Sequence, residues 1–150
     1  MAYVTTTQLS ARLGSTVYAR LTDRVNGTTA NDTVGQQLVD EAQAEFESYV
    51  ATRYATPLDL TAHAELRRAV ETHVLDIAEY FAWRGSPFVS DVPTRIHDLY
   101  AESLAWLRDV AAAKVDLPAA APLRAAVAES DAARYQAAPR PFTAEELDGL

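Results

Sequence analysis

Thr33–Ala55 reads TVGQQLVDEAQAEFESYVATRYA, and this stretch decides the fold class. Leu38, Val39, Ala42, Phe46, Tyr49, Val50 and Tyr54 recur three and four residues apart. That period puts them on one side of a helix, because an α-helix turns once every ~3.6 residues. Asp40, Glu41, Gln43, Glu47 and Ser48 fall largely on the other side. Thr33 and Gln36 have the spacing of a capping box, in which each side chain satisfies a backbone N–H of the first turn. Pro57 sets the far limit, since the residue before a proline avoids the α region. The expected helix runs from Thr33 to about Ala55, and it needs a partner for its apolar stripe.

The partners lie on both sides. Thr61 can cap a helix over about Ala62–Trp83, with a stripe of Leu66, Val70, Val74, Ile77, Tyr80 and Phe81, closed by Gly85 and Pro87. Pro93 suits the first turn of another helix to about Ala113, carrying Ile96, Leu99, Tyr100, Leu104, Trp106, Leu107 and Val110. Upstream, Thr5 and Gln8 form a second capping box for a short helix ending at Gly14. Ser15 can cap a further short one to Thr22. No β-branched run alternates with polar residues, so strands are not expected. The predicted fold is all-α: a small bundle of two short and three long helices over 1–114, followed by a Pro/Ala-rich arm over 115–150. Four prolines and few large apolar residues deny that arm a core of its own. It ends on Phe142-Thr-Ala-Glu-Glu-Leu147, where a capping box (Thr143, Glu146) coincides with the Phe142–Leu147 pair of a hydrophobic staple. A helix this short is marginal in water. A docking segment is therefore expected there, with Phe142, Thr143, Glu146, Leu147 and Leu150 as its interface residues.

Composition narrows the function. The 150 residues include 13 basic and 21 acidic side chains, a net charge of −8, with no cysteine. A disulfide framework, a thiolate metal site and a cysteine nucleophile are excluded. No apolar run approaches the ~20 residues of a membrane helix. The start, MAYVTTTQLS, lacks the basic and apolar regions of a signal peptide. The expected setting is a cytoplasm, with no membrane association. An acidic chain without a basic stripe does not suit phosphate-driven DNA binding.

Catalytic signatures are missing. There is no G-x-S-x-G, no phosphate-binding glycine pattern and no H-E-x-x-H. His73, with Asp76 three residues on, is better read as a packed, hydrogen-bonded histidine than as a ligand or base. His63 and His97 are expected in solvent. Glu41, Glu45 and Glu47 are read as a solvated helix face. The loop Asp23–Asp32 (DRVNGTTAND) fails the EF-hand code, because Val25 and Gly27 stand where oxygen ligands belong. No catalytic residue, metal or cofactor is predicted, and an enzyme is not expected. The polar loops Asp23–Asp32 and Arg84–Val92 are candidate contact surfaces through Asp23, Arg24, Asn26, Arg84 and Phe88.

Four segments in order carry a resemblance: Leu9-Ser-Ala-Arg-Leu-Gly14 with Leu21-Thr-Asp-Arg24; Ala42–Leu58, ending Tyr-x3-Arg-Tyr-x2-Pro-Leu; Asp76-Ile-Ala-Glu-Tyr80; and Tyr100–Val115. Together they resemble the Mu-like prophage head–tail connector family of tailed phages. Phe142–Leu150 is similar to the short motif that closes many members. The resemblance implies an adaptor of the phage neck, made in the host bacterial cytoplasm and built into the virion. It also implies a ring of copies of the chain, twelvefold in related adaptors. The ring would sit between the portal protein and a stopper or tail-completion protein, with genome DNA passing through its channel unbound. The alternative from the residues is a small nucleic-acid-binding packaging protein, similar to a terminase small subunit. In that reading the short helices and Arg12, Arg20 and Arg24 would serve as a helix-turn-helix.

Overall fold

The computed structural model describes residues 2–61 and 63–117. Five helices follow one another: α1 (Thr6–Leu13), α2 (Ser15–Thr22), α3 (Asp32–Val50), α4 (Ala64–Gly85) and α5 (Thr94–Ala111). No strand occurs among the described residues, so the all-α bundle stands. The helices α3, α4 and α5 pack on one another, and α1 and α2 lie across α3 and α4. The expected stripes meet inside. Val39, Phe46, Val50, Val70, Val74, Ile77, Leu107 and Val110 have no exposed surface. Each fully buried side chain of this kind contributes about 1.5–3 kcal/mol, and these residues dominate the stability. At the centre the Phe46 ring meets Tyr3 edge-on, with centroids 5.6 Å apart, and Trp106 at 6.4 Å.

The capping box at Thr5 is formed: Gln8 N donates to Thr5 Oγ1 and Thr5 N donates to Gln8 Oε1. Gly14 both ends α1 and precedes α2, at φ +81°, a backbone state that favours glycine. The other expected caps differ. The N-cap of α3 is Asn31, whose Oδ1 accepts from Thr33 N and Val34 N. Thr33 lies inside the helix, and Gln36 turns along it to Asp40. Asn31 wins because its short amide reaches both free N–H groups at once, and Tyr18 Oη holds Asp32 in the first turn. Likewise Thr61 does not cap α4. Its N–H and hydroxyl both go to Asp59, and His63 takes the cap position. The α3 helix stops at Val50, five residues before Ala55. Residues 51–54 tighten into a turn that presents Arg53 and Tyr54 to the end of α5.

That turn decides where the bundle ends. Arg53 Nη1 donates to the carbonyls of Val110 and Val115 (2.9 and 3.1 Å), and Nη2 pairs with Asp116. Leu117 N donates to Tyr54 Oη at 2.9 Å, and Leu117 is buried. Residues 115–117, assigned above to the arm, thus pack on the bundle. The remainder of the arm lies outside the described residues.

Candidate interaction surface

Two loops form one end of the molecule, near the start of α3 and the end of α4. The first, 23–31, is organised by Asp23. This largely covered carboxylate accepts four backbone N–H bonds: Val25 (2.9 Å) and Asn26 (3.1 Å) at Oδ1, Thr28 (3.0 Å) and Thr29 (3.1 Å) at Oδ2. These donors, that of Thr28 foremost, hold its pKa far below the usual carboxylate range. The second loop, 86–93, folds back so that the Phe88 ring faces Gly27, where a Cβ would stand 3.1 Å from the ring. Arg20 Nη2 reaches the Phe88 carbonyl at 3.5 Å, and Ser86 Oγ reaches the Arg20 carbonyl at 3.4 Å. The Arg24 guanidinium lies over Gly85. Arg84 sits over the Phe81 ring at 4.9 Å and that of Tyr80 at 5.7 Å.

The five expected contact residues are therefore brought to one end, with different duties. Arg24, Asn26, Arg84 and Phe88 are exposed, whereas the carboxylate of Asp23 is spent inside its own loop. Val25, at the loop tip, is 79% exposed, the most exposed large apolar side chain among the described residues. Behind the Phe88 loop is a cleft of about 280 Å³ lined by Val17, Arg20, Leu21, Trp83, Phe88, Val89 and Ser90. The Trp83 indole Nε1 is buried and has no acceptor among the described residues. Phe142, Thr143, Glu146, Leu147 and Leu150, the expected docking residues, lie outside the described residues.

A second polar cluster is internal. Arg12 of α1 pairs with Asp76 through Nη2 and with Glu79 through Nε (2.9 Å), both on α4. Asp76 Oδ2 accepts from the Ser103 hydroxyl at 3.0 Å, and Ser103 Oγ lies 3.0 Å from His73 Nδ1. Because the single hydroxyl proton goes to Asp76, His73 must donate from Nδ1, which assigns its tautomer. The imidazole stacks on Trp106 with centroids 4.2 Å apart. Burial lowers the His73 pKa, against the opposing pull of Asp76, so it packs as a neutral ring. This is not an activated nucleophile: Ser103 donates to a carboxylate instead of to a base and is 1% exposed. Among the described residues no group of three His, Asp or Glu could hold a metal.

His63 and His97 are exposed as expected. The acidic face of α3 is only partly solvated. Glu41 is exposed, but Glu45 Oε1 accepts from Tyr100 Oη at 3.1 Å and Glu47 faces Tyr3. Burial foremost, with Glu45 beside it, pushes the Tyr100 pKa up to about 12. Sequence reading passed over Arg12 as the partner of buried carboxylates. Its only signal was the combination Arg12 and Asp76-x-x-Glu79 in two of the resembling segments.

Fold and surface together define a small helical bundle with a buried polar cluster around Arg12 and Asp76 and one arginine- and aromatic-bearing end. The family model described as Bacteriophage Mu, Gp36 matches residues 3–137, and the chain belongs to that family. No curated protein matches it significantly. It is thus a bacteriophage protein, and no described helix is long and apolar enough to cross a membrane.

Proposed function

We propose that the chain is a structural head–tail adaptor. Copies form a ring between the portal and the next neck or tail component, and the genome passes through its channel. Family membership over residues 3–137 carries the reading. The structure supports it with a bundle whose buried carboxylates, Asp76 and Glu79, are ion-paired with Arg12 and whose loop end is exposed for contact with another layer. The net charge of −8 favours a channel wall that repels DNA and lets it slide. Copies meeting head to tail close into a ring when the rotation per subunit allows it. In the assembled neck, the arm engages the portal or a neighbouring subunit through Phe142–Leu150. The chain carries out no chemistry in this role.

The test is native mass measurement and electron microscopy of the chain with and without portal. Closed rings on the portal are expected, and a chain that stays monomeric beside portal overturns the reading. Deleting Arg140–Leu150 should leave the bundle folded and weaken assembly. An unchanged portal pull-down removes the docking role. A packaging-type DNA-binding protein is the second reading, favoured by Arg20, Arg24 and Arg84 at one end. Sharp, salt-sensitive binding to duplex DNA would select it.

A further inference from the structure

The loop 23–31 is built to hold an apolar side chain outward. The backbone N–H groups of Val25, Asn26, Thr28 and Thr29 are fastened to the Asp23 carboxylate, Gly27 turns the chain at φ +68°, and the Phe88 ring braces that glycine. The side chain so presented is Val25, at 79% exposure. One exposed valine is ordinary on a protein surface. A valine fixed at the tip of a loop held by four hydrogen bonds is different, because much of the entropy that binding would cost is already lost on folding. Arg24 is its neighbour in the chain, and Arg84 stands on the same end; both are exposed.

A matching surface lies on the flank of α3. Tyr3 N donates to Gln43 Oε1 at 2.6 Å, which draws the start of the chain alongside the helix. Ala2, Asp40, Gln43, Ala44, Glu47 and Pro57 then line a cleft of about 390 Å³. Ala2, Ala44 and Pro57 are its apolar part, Asp40 and Glu47 its charges, and no basic residue among those described lines it. The helix itself carries Asp32, Asp40, Glu41, Glu45 and Glu47 and no residue of opposite sign. We propose that this cleft is the docking surface for the Val25 loop tip of a second copy of the chain, with Arg24 and Arg84 of that copy facing Asp40 and Glu47.

Charge argues for this occupant. Copies that each carry a net charge of −8 repel, so a surface between them must set positive groups against negative ones. The loop end is where exposed arginines and an exposed apolar tip coincide, and the cleft offers the complement of both. The two surfaces are separate: Asp32, beside the loop, and Ala44, in the cleft, stand about 18 Å apart along α3 at ~1.5 Å per residue. The contact is therefore heterologous and runs from copy to copy in one direction, as a ring requires. Phe88 and Ser90 stay exposed beside it for the adjoining layer. The inference deepens the adaptor reading, on which it rests for the ring, by naming the surfaces through which copies meet.

The chain has no cysteine, so single thiols report the contact. Full-length Val25→Cys and Ala44→Cys chains are mixed, oxidised mildly with and without portal, and their masses measured without reductant. A chain with one thiol cannot close on itself, so every disulfide joins two copies. The mixed 25–44 pair is expected in several-fold excess over both like pairs. It should exceed by as much the pair formed when Ala105→Cys, exposed on α5, replaces Ala44→Cys. Arg24→Glu in the Val25→Cys chain should cut the mixed pair several-fold, as should Asp40→Arg in the Ala44→Cys chain. The two exchanged chains together should recover most of it. Both positions are exposed, and circular dichroism should show the helices unchanged. Like pairs in equal yield, an Ala105 control that matches, or no recovery by the exchanged chains would each overturn the proposal. Rings on portal that lack the mixed pair remove this contact and leave the adaptor reading standing. The mixed pair without closed rings keeps the contact and removes the ring.

Discussion

Gly35 sits in the second turn of α3, and replacing it with alanine sets two effects of opposite sign against each other. In an exposed helix, Gly→Ala stabilises by about 1 kcal/mol, because glycine loses more backbone freedom on folding. Here the new Cβ would stand 2.0 Å from Tyr18 Oη and 3.0 Å from Cζ. The hydroxyl cannot simply swing away. Tyr18 is 2% exposed, its ring is packed in the core, and its Oη donates to Asp32 Oδ1 at 3.1 Å. Burial foremost, with Asp32 beside it, pushes the Tyr18 pKa up to about 12, consistent with a protonated donor. Overpacking a fitted core costs about 1–3 kcal/mol, and moving Tyr18 also gives up a hydrogen bond worth about 1 kcal/mol. Gly35→Ala is expected to destabilise by about 1–3 kcal/mol net, lowering Tm by several degrees at ~2–4 °C per kcal/mol for this length. Urea unfolding followed by helical circular dichroism measures it. In the Tyr18→Phe background the 2.0 Å contact is gone, so the same substitution should cost at least about 1 kcal/mol less. A stabilised Gly35→Ala variant, or equal effects in both backgrounds, refutes the reasoning.

Three further outcomes are expected. Arg12→Leu strands Asp76 and Glu79, whose side chains are only 7% and 12% exposed, and should cost about 3 kcal/mol by urea unfolding, while Arg12→Lys recovers part of it. Burial lowers the folded-state pKa of His73, so the unfolded chain binds more protons below its ordinary value of 6.5; stability should fall as pH drops through that value toward the folded pKa. Comparing urea midpoints at pH 7.5 and 5.5, His73→Asn should show a smaller fall than the parent chain. Arg53→Gln releases the carbonyls of Val110 and Val115 together with Asp116, costing about 2 kcal/mol and speeding amide exchange at Lys114–Leu117 more than in α4.

The helices were legible because an amphipathic period is a local property. Leu38 through Val50, Val70 through Ile77 and Leu107 with Val110 announce their buried faces within a few turns of chain, whatever they pack against. Caps were less so. Asn31 and Thr33 are both good N-cap types two residues apart, and only the Tyr18–Asp32 contact and the reach of the Asn31 amide choose between them. His73 was correctly expected to pack, yet its partner, Ser103, lies 30 residues away.

From the sequence alone came the helical class, the apolar stripes, the lack of cysteine, the acidic balance and the family likeness. These depend on residue type and short spacing. Only the tertiary structure decided that Arg12 pairs with carboxylates 64 and 67 residues away, that Asp23 spends its charge on its own loop, and that Arg53 and Tyr54 close the bundle at Leu117. It also brought the loops at 23–31 and 86–93 together, with the Phe88 ring against Gly27. A side chain's partner across the fold is set by how helices cross and which residues then share a desolvated space, and no periodicity along the chain encodes that.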